Sequence, residues 1–192
     1  MGDPRKNRKK YTTPSHPWQK ARLDNEKELL QEYGLKNKKD LWKSSSKLAQ
    51  FKKQAKSLIG KKDLQAETEK KLFIDKLGKL KLVQDEATIE NILDLSVKDI
   101  LERRLQTLVL RKGLAKTMNQ SRQFITHGHI LINEIKVNAP SYLVSLNEEA
   151  ALTFSEKSAL ADPEHPERKI KEIEVPKIEE KEEEVKKDET TK

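Results

Sequence analysis

His127, Gly128 and His129 place two imidazoles one residue apart in a chain of 192 residues. Such a pair can ligate a metal, act as a general base, or contact phosphate and 2′-hydroxyl groups. A metal normally needs a third or fourth ligand. The chain has no cysteine, and its other histidines, His16 and His165, lie in segments that read as tails. A general base needs a nucleophile and a pocket. The sequence holds neither a GxxxxGK phosphate loop nor a nucleophile elbow. No catalytic residue, metal site or cofactor is therefore expected. The plain structural role for the pair is turn packing. Gly128 allows close backbone approach, which favours contact with RNA. Arg103, Arg104, Arg111, Lys112, Arg122, Asn133 and Lys136 flank the pair. Asn133 and Asn138 suit turns equally well, but Lys136 beside them makes phosphate contact as reasonable.

Two short amphipathic helices and a hairpin must bring these groups together. Ser96 begins the first helix, with Asp99 three residues on, close to a capping box with Asp in place of Glu. Leu101, Leu105 and Leu108 form its apolar stripe, and Gly113 ends it. At about 100° per residue, Arg103 points roughly 200° away from Leu101, opposite the core. Arg104 and Arg111 flank the stripe. Thr117 or Asn119 caps a second helix over residues 120–126. Phe124 and Ile125 face inward, and Arg122 lies about 200° from Phe124, outside. Residues 130–132 read as a strand, Asn133 and Glu134 as a turn, and residues 135–137 as its return. Pro140 interrupts. Tyr142 to Leu146 is expected to resume the sheet, and Leu152 to Phe154 to add a last strand. Cations then gather where helices and hairpin meet, a compact surface for gripping folded RNA.

Upstream, residues 1–17 hold five cations and three prolines without periodicity. They read as a basic arm, disordered when free and ordered against phosphates. Arg5, Lys6, Arg8, Lys9 and Lys10 supply charge, while Tyr11 and Trp18 offer rings for stacking on bases or sugars. A helix is expected from residue 17 or 18 to Gly34, with Trp18, Leu29, Leu30 and Tyr33 on its apolar side. A second is expected from Lys38 to Ile59, stopped by Gly60. Its stripe is Leu41, Trp42, Ser45, Leu48, Ala49, Lys52, Ala55 and Ile59. Lys43, Lys47 and Lys53 lie off that stripe. Such a face is commonly just solvated; beside a basic arm it suits RNA as well. Residues 63–87 begin as a helix through Leu72, Phe73, Leu77 and Leu80. Gly78 weakens it, and Asp85 to Thr88 turns into the next segment.

Charged residues are 38% of the chain and apolar ones 34%, which suits one small core rather than a large catalytic barrel or doubly wound sheet. Residues 1–62 carry 18 basic and 6 acidic side chains, whereas residues 63–102 carry 6 and 10. A basic arm on a near-neutral module is the footprint of a phosphate-binding protein. No apolar run approaches the roughly 20 residues of a membrane span, and the N-terminus is too charged for a signal peptide. A soluble, intracellular protein without membrane contact is expected. From Glu164 onward lysine and glutamate dominate, as in a solvated tail.

The runs RRLQTLVLRKGLA, SRQFITHGHI and IKVNAPSYLV, within residues 103–146, resemble the S-four RNA-binding module over its whole length. GDPRKNRKKY, TPSHPW and EKELLQEYGLKNKKDLWK resemble the small-subunit ribosomal protein S-four family of the archaeal type. Together the resemblance covers Gly2 to about Glu167. It implies an α+β fold: a mostly helical N-terminal domain with an inserted or following S-four module of two helices and a small antiparallel sheet, and disordered charged tails. The expected divisions are a basic arm over 1–17, a helical rRNA-binding domain over 18–102, the module over 103–167 and a charged tail over 168–192. The resemblance implies a cytoplasmic, ribosome-bound protein that contacts small-subunit ribosomal RNA early in assembly, at a five-way junction of the 5′ domain. It implies neighbours in ribosomal proteins S-five and S-three, mRNA near the entry channel, and an effect on decoding accuracy through S-five. Positions matching Arg103, Arg104, Arg122, His127, His129 and Lys136 lie on the family's RNA side.

Three features depart from the pattern. Many bacterial members carry an N-terminal cysteine cluster for zinc, which this chain lacks. Ser44 to Gln54 is poor in arginine for the archaeal type, so grip there rests on lysines, which lack arginine's bidentate fork. Ser121 stands where alanine is usual. A free RNA chaperone or translational regulator would use the same module without joining ribosomes. An RNA-modifying enzyme would need a catalytic domain for which the sequence offers no room.

Overall fold

The computed structural model describes residues 9–61, 63–84, 88–162 and 165–166. The expectations for Arg5, Lys6, Arg8, most of the turn at 85–88 and the tail beyond residue 166 lie outside them.

The N-terminal half is built from α1 (Lys20–Glu32), α2 (Lys38–Ile59) and α3 (Leu64–Lys79). Gly34, at φ +53°, ends α1 in the left-handed region as expected. A Cβ there would come within 2.7 Å of Met118 Cβ, so the residue also permits a close approach between distant segments. α2 keeps the bounds read from sequence, but its buried face is rotated. Leu41, Ser44, Leu48, Phe51, Ala55 and Leu58 point inward, whereas Ser45, Ala49 and Ile59 are exposed. Phe51 meets Phe73 of α3 edge-on, and Leu77 completes the contact. Gly78 sits inside α3 without breaking it. Trp18 does not join the apolar side of α1; it precedes the helix and is 88% exposed.

The second half corrects one expected helix. Residues 96–113 form two short helices, α5 (Val97–Glu102) and α6 (Leu105–Arg111), after a one-turn α4 (Asn91–Asp94). The Ser96–Asp99 capping box opens α5. The chain breaks at Arg103 and Arg104 because their backbones pair sideways. Val144 N–H donates to Arg103 O, Leu105 N–H donates to Tyr142 O, and Arg104 bridges Leu143. Leu101 and Leu105 still bury, but into different clusters.

α7 (Met118–Thr126) follows, its Thr117 hydroxyl accepting from Gln120 N–H. β1 (Ile130–Ile132), β2 (Ile135–Lys136) and β3 (Leu152–Phe154) form an antiparallel sheet in the order β2-β1-β3. Asn133 and Glu134, both at positive φ, make the β1–β2 turn, as a two-residue hairpin loop requires. Residues 142–146 do not resume the sheet. Only Leu143 bridges, and Leu146–Ala150 forms α8, opened by a Ser145–Glu148 capping box. A 3-10 turn at Ala159–Ala161 closes the unit.

Among the described residues, three apolar clusters form the core, and two of them connect the halves. One lies within the second half, around Leu105, Ile125, Ile130 and Val144. Another joins α2 and α3 to Ile92 and Ile100. The third sets Tyr33, Leu35 and Leu41 against Leu101 and Met118.

Candidate nucleic-acid interface

Two basic surfaces emerge. The first begins where the arm meets α2. Thr12 N–H donates to Ser46 Oγ at 2.9 Å, Tyr11 tilts against Trp42 with centroids 6.0 Å apart, and Lys9 Nζ lies 4.8 Å from the Tyr11 ring centre. Lys9, Lys10, Tyr11, Lys43, Lys47 and Lys53 line the resulting groove. Trp42 is fixed from below, since its indole N–H donates to Glu26 at 3.1 Å. Glu26 also pairs with Arg22 and Lys38. Burial pushes its carboxyl up, but the hydrogen bonds from Trp42 and Lys38 and the nearby cations outweigh this and hold it below its ordinary value. Burial, aided by the charge of Lys76, pulls Lys47 below the usual lysine range.

Lys43 and Lys47, one helical turn apart, also line a smaller cavity with Asp40, Ser44, Arg104, Ser141 and Leu143. Lys43 and Lys47 thus line both the groove beside the arm and the cavity that holds Arg104. Asp40, Ser44 and Ser141 were not singled out by the sequence. Nothing in a sequence pattern joins residue 44 to residue 141; the Arg104–Leu143 bridge does so.

The second surface is the His127–His129 turn. His127 caps the end of α7, and Gly128 at φ +74° reverses the chain. The two imidazoles stack with centroids 6.3 Å apart. His129 Nδ1 lies 2.8 Å from Ser158 Oγ, and its ring meets Phe124 edge-on. Lys136 lies across Gly128 so closely that a Cβ there would sit 1.7 Å from Lys136 Cε and 3.0 Å from Asn138 Oδ1. His127, His129, Lys136, Lys157 and Ser158 share a shallow pocket with Glu134. Lys157 and Ser158 were missed because β3 brings them back: Ser155 N–H donates to His129 O at 2.8 Å. Asn133 stays exposed in its turn.

The remaining candidates separate. Arg103 is not on an outer face but 6% exposed. Its guanidinium donates to Glu149 at 2.7 Å and to Val144 O at 3.0 Å. Arg111 is exposed but paired with Glu102 at 2.8 Å. Lys112 donates to the Glu149 carbonyl. Arg122 is half-buried, with Nη1 enclosed and unbonded. The expected directions of Arg103 and Arg104 do not hold because the single helix they assume stops at Glu102.

No cluster of three or more metal-ligating side chains occurs among the described residues. No helix among them is long and apolar enough to cross a membrane.

Residues 103–149 match the S4 domain family, so the turn, α6, α7 and β1 all lie within a known module. The small ribosomal subunit protein uS4 of Methanococcus aeolicus is 49% identical over 169 residues, covering 88% of this chain and 96% of the relative. The chain belongs to the uS4 family of small ribosomal subunit proteins. The uS4 protein of Nanoarchaeum equitans is 50% identical over 87% of the chain and 94% of its own length. That of Picrophilus torridus is 48% identical over 86% and 92%. Membership of the uS4 family thus rests on both halves, including α1 to α3, which lie outside the matched module.

Proposed function

We propose that this chain is a structural, non-enzymatic component of the small ribosomal subunit that binds its ribosomal RNA directly. Similarity to small-subunit uS4 proteins over nearly nine-tenths of the chain carries this reading. The two basic surfaces supply its chemistry. Lys9, Lys10, Lys43, Lys47 and Arg104 follow one stretch of backbone, with Tyr11 and the exposed Trp18 as stacking platforms. His127, Gly128, His129, Lys136 and Asn138 meet a second stretch at phosphates and 2′-hydroxyls. Arg5, Lys6 and Arg8 add three further cations for phosphates.

The division of labour follows the chain. An arm over 1–17 and helices over 18–102 hold one RNA segment, and the module over 103–167 holds another. The finer placement comes from the family: early binding at the 5′-domain junction, ribosomal proteins S-five and S-three and mRNA as neighbours, support of accurate decoding, and a cytoplasmic, ribosome-bound location.

Filter-binding titrations against small-subunit rRNA test the reading. With about six to ten phosphates engaged, affinity falls roughly 10³–10⁵-fold between about 50 and 200 mM salt, by analogy with duplex DNA. A nearly flat salt response contradicts it.

A further inference from the structure

Arg104 has a settled backbone and an unsettled side chain. Its N–H donates to Leu101 O, its carbonyl accepts from Leu108 N–H, and its backbone bridges Leu143. The residue is 3% exposed, yet its Nη2 is enclosed and has no hydrogen-bond partner. Burial of an unbonded guanidinium donor is costly unless something supplies the acceptor. The side chain lines a cavity of about 150 Å³ with Asp40, Lys43, Ser44, Lys47 and Ser141. That is about five times a water's share of liquid volume. Among the described residues Asp40 is the only acid on this lining, and it already lies 3.7 Å from Lys43. The charge of Asp40 favours the Arg104 guanidinium, and Arg122, whose own Nη1 is also enclosed and unbonded, opposes it.

We infer that this cavity seats one phosphate of an RNA backbone, held from below by the Arg104 guanidinium and at the rim by Lys43 and Lys47. The inference rests on the rRNA-binding reading and refines it. Charge selects an anion: three cations face a single carboxylate, Asp40, which lies beside Lys43 and also acts on Arg104. Continuity selects a polymer. Lys43 and Lys47 line both this cavity and the groove with Lys9, Lys10, Tyr11 and Lys53. A chain of regularly spaced charges can dip one phosphate into the cavity and lay its neighbours along the groove. A protein carboxylate would fill the cavity and leave the groove unused. Because Arg104 belongs to the second half and Lys43 and Lys47 to α2, a seated phosphate ties the two halves together.

A double-mutant cycle on protein and RNA tests the seat. Synthetic fragments of small-subunit rRNA carry a single neutral methylphosphonate at one 2′-deoxy linkage, moved along the strand, with matched 2′-deoxy controls. For the parent, one linkage costs roughly 10–100-fold in affinity, the range of a lost charge-assisted hydrogen bond. Arg104→Gln loses a similar factor on intact RNA and is insensitive to that linkage. Lys136→Gln, on the other surface, keeps full sensitivity there. If Arg104→Gln fails to fold, Lys43→Gln with Lys47→Gln at the rim is measured instead, and its sensitivity to the same linkage falls. Independent losses at every linkage in the folded variant overturn the seat, whether water or a protein carboxylate occupies it. A parent that binds no rRNA overturns the wider reading, and this one with it.

Discussion

Arg103 and Arg104 are adjacent and both buried, yet they do different work. Arg103 is spent internally on Glu149 and Val144 O, which ties the end of α5 to the start of α8. Arg103→Ala should therefore destabilise the protein by about 1–3 kcal/mol. That is below the cost of breaking a fully buried pair, because the Glu149 side chain keeps 23% exposure. Melting curves check this, and a variant as stable as the parent contradicts the assignment. The acid limb of stability belongs to the same scale. The Arg103 hydrogen bond is the main cause holding Glu149 below its ordinary value of 4.5, and Glu26 is lowered as well. A carboxyl lowered on folding binds its proton more readily in the unfolded chain. Its contribution is thus complete above the ordinary carboxylate range and is lost as pH falls below about 4.5 through the folded values. Melting temperature should drop as pH falls below the ordinary carboxylate value of 4.5, with a shallower drop for Glu26→Gln combined with Glu149→Gln. An equal slope in parent and double variant counts against these two groups.

Among the elements, the bounds of α2 were legible because a charged start and Gly60 bracket it, but its buried face, which includes Ser44, Phe51 and Leu58, was not. The break between α5 and α6 was not. Leu101, Leu105 and Leu108 keep helical spacing across it, and the cause is a pairing with residues 142–144, about forty positions away. Local periodicity carries no signal of such a pairing. α8 did have a local signal. Ser145 and Glu148 stand at capping-box spacing, but Tyr142, Leu143 and Val144 before them favour a strand. The His127–Gly128–His129 segment is a glycine turn as expected, but Gly128 is buried, and the close approach it permits is that of the Lys136 side chain. Gly128→Ala tests that contact. Alanine at φ +74° is strained by roughly 1 kcal/mol, and its methyl must push aside the flexible end of Lys136. Stability should fall by about that amount while rRNA affinity falls further, through the displaced ammonium. Unchanged affinity in a folded Gly128→Ala protein removes Lys136 from the interface.

For the whole molecule, the charge map read from composition anticipated the layout. The basic first third supplies one surface, and the half rich in the expected module supplies the other. What composition could not reveal is that the two halves share packing, with Tyr33 and Leu41 set against Leu101 and Met118. RNA bound to either surface thus acts on a connected body. Binding to free rRNA at equilibrium is salt-sensitive, but release from an assembled subunit requires many contacts to break together and is slow. Co-sedimentation of the tagged full chain with small subunits after a high-salt wash tests the central claim most directly. The account predicts that the protein remains in the small-subunit peak at a stoichiometry near one. Recovery at the top of the gradient, or with free RNA alone, would contradict it and favour a free RNA chaperone or regulator.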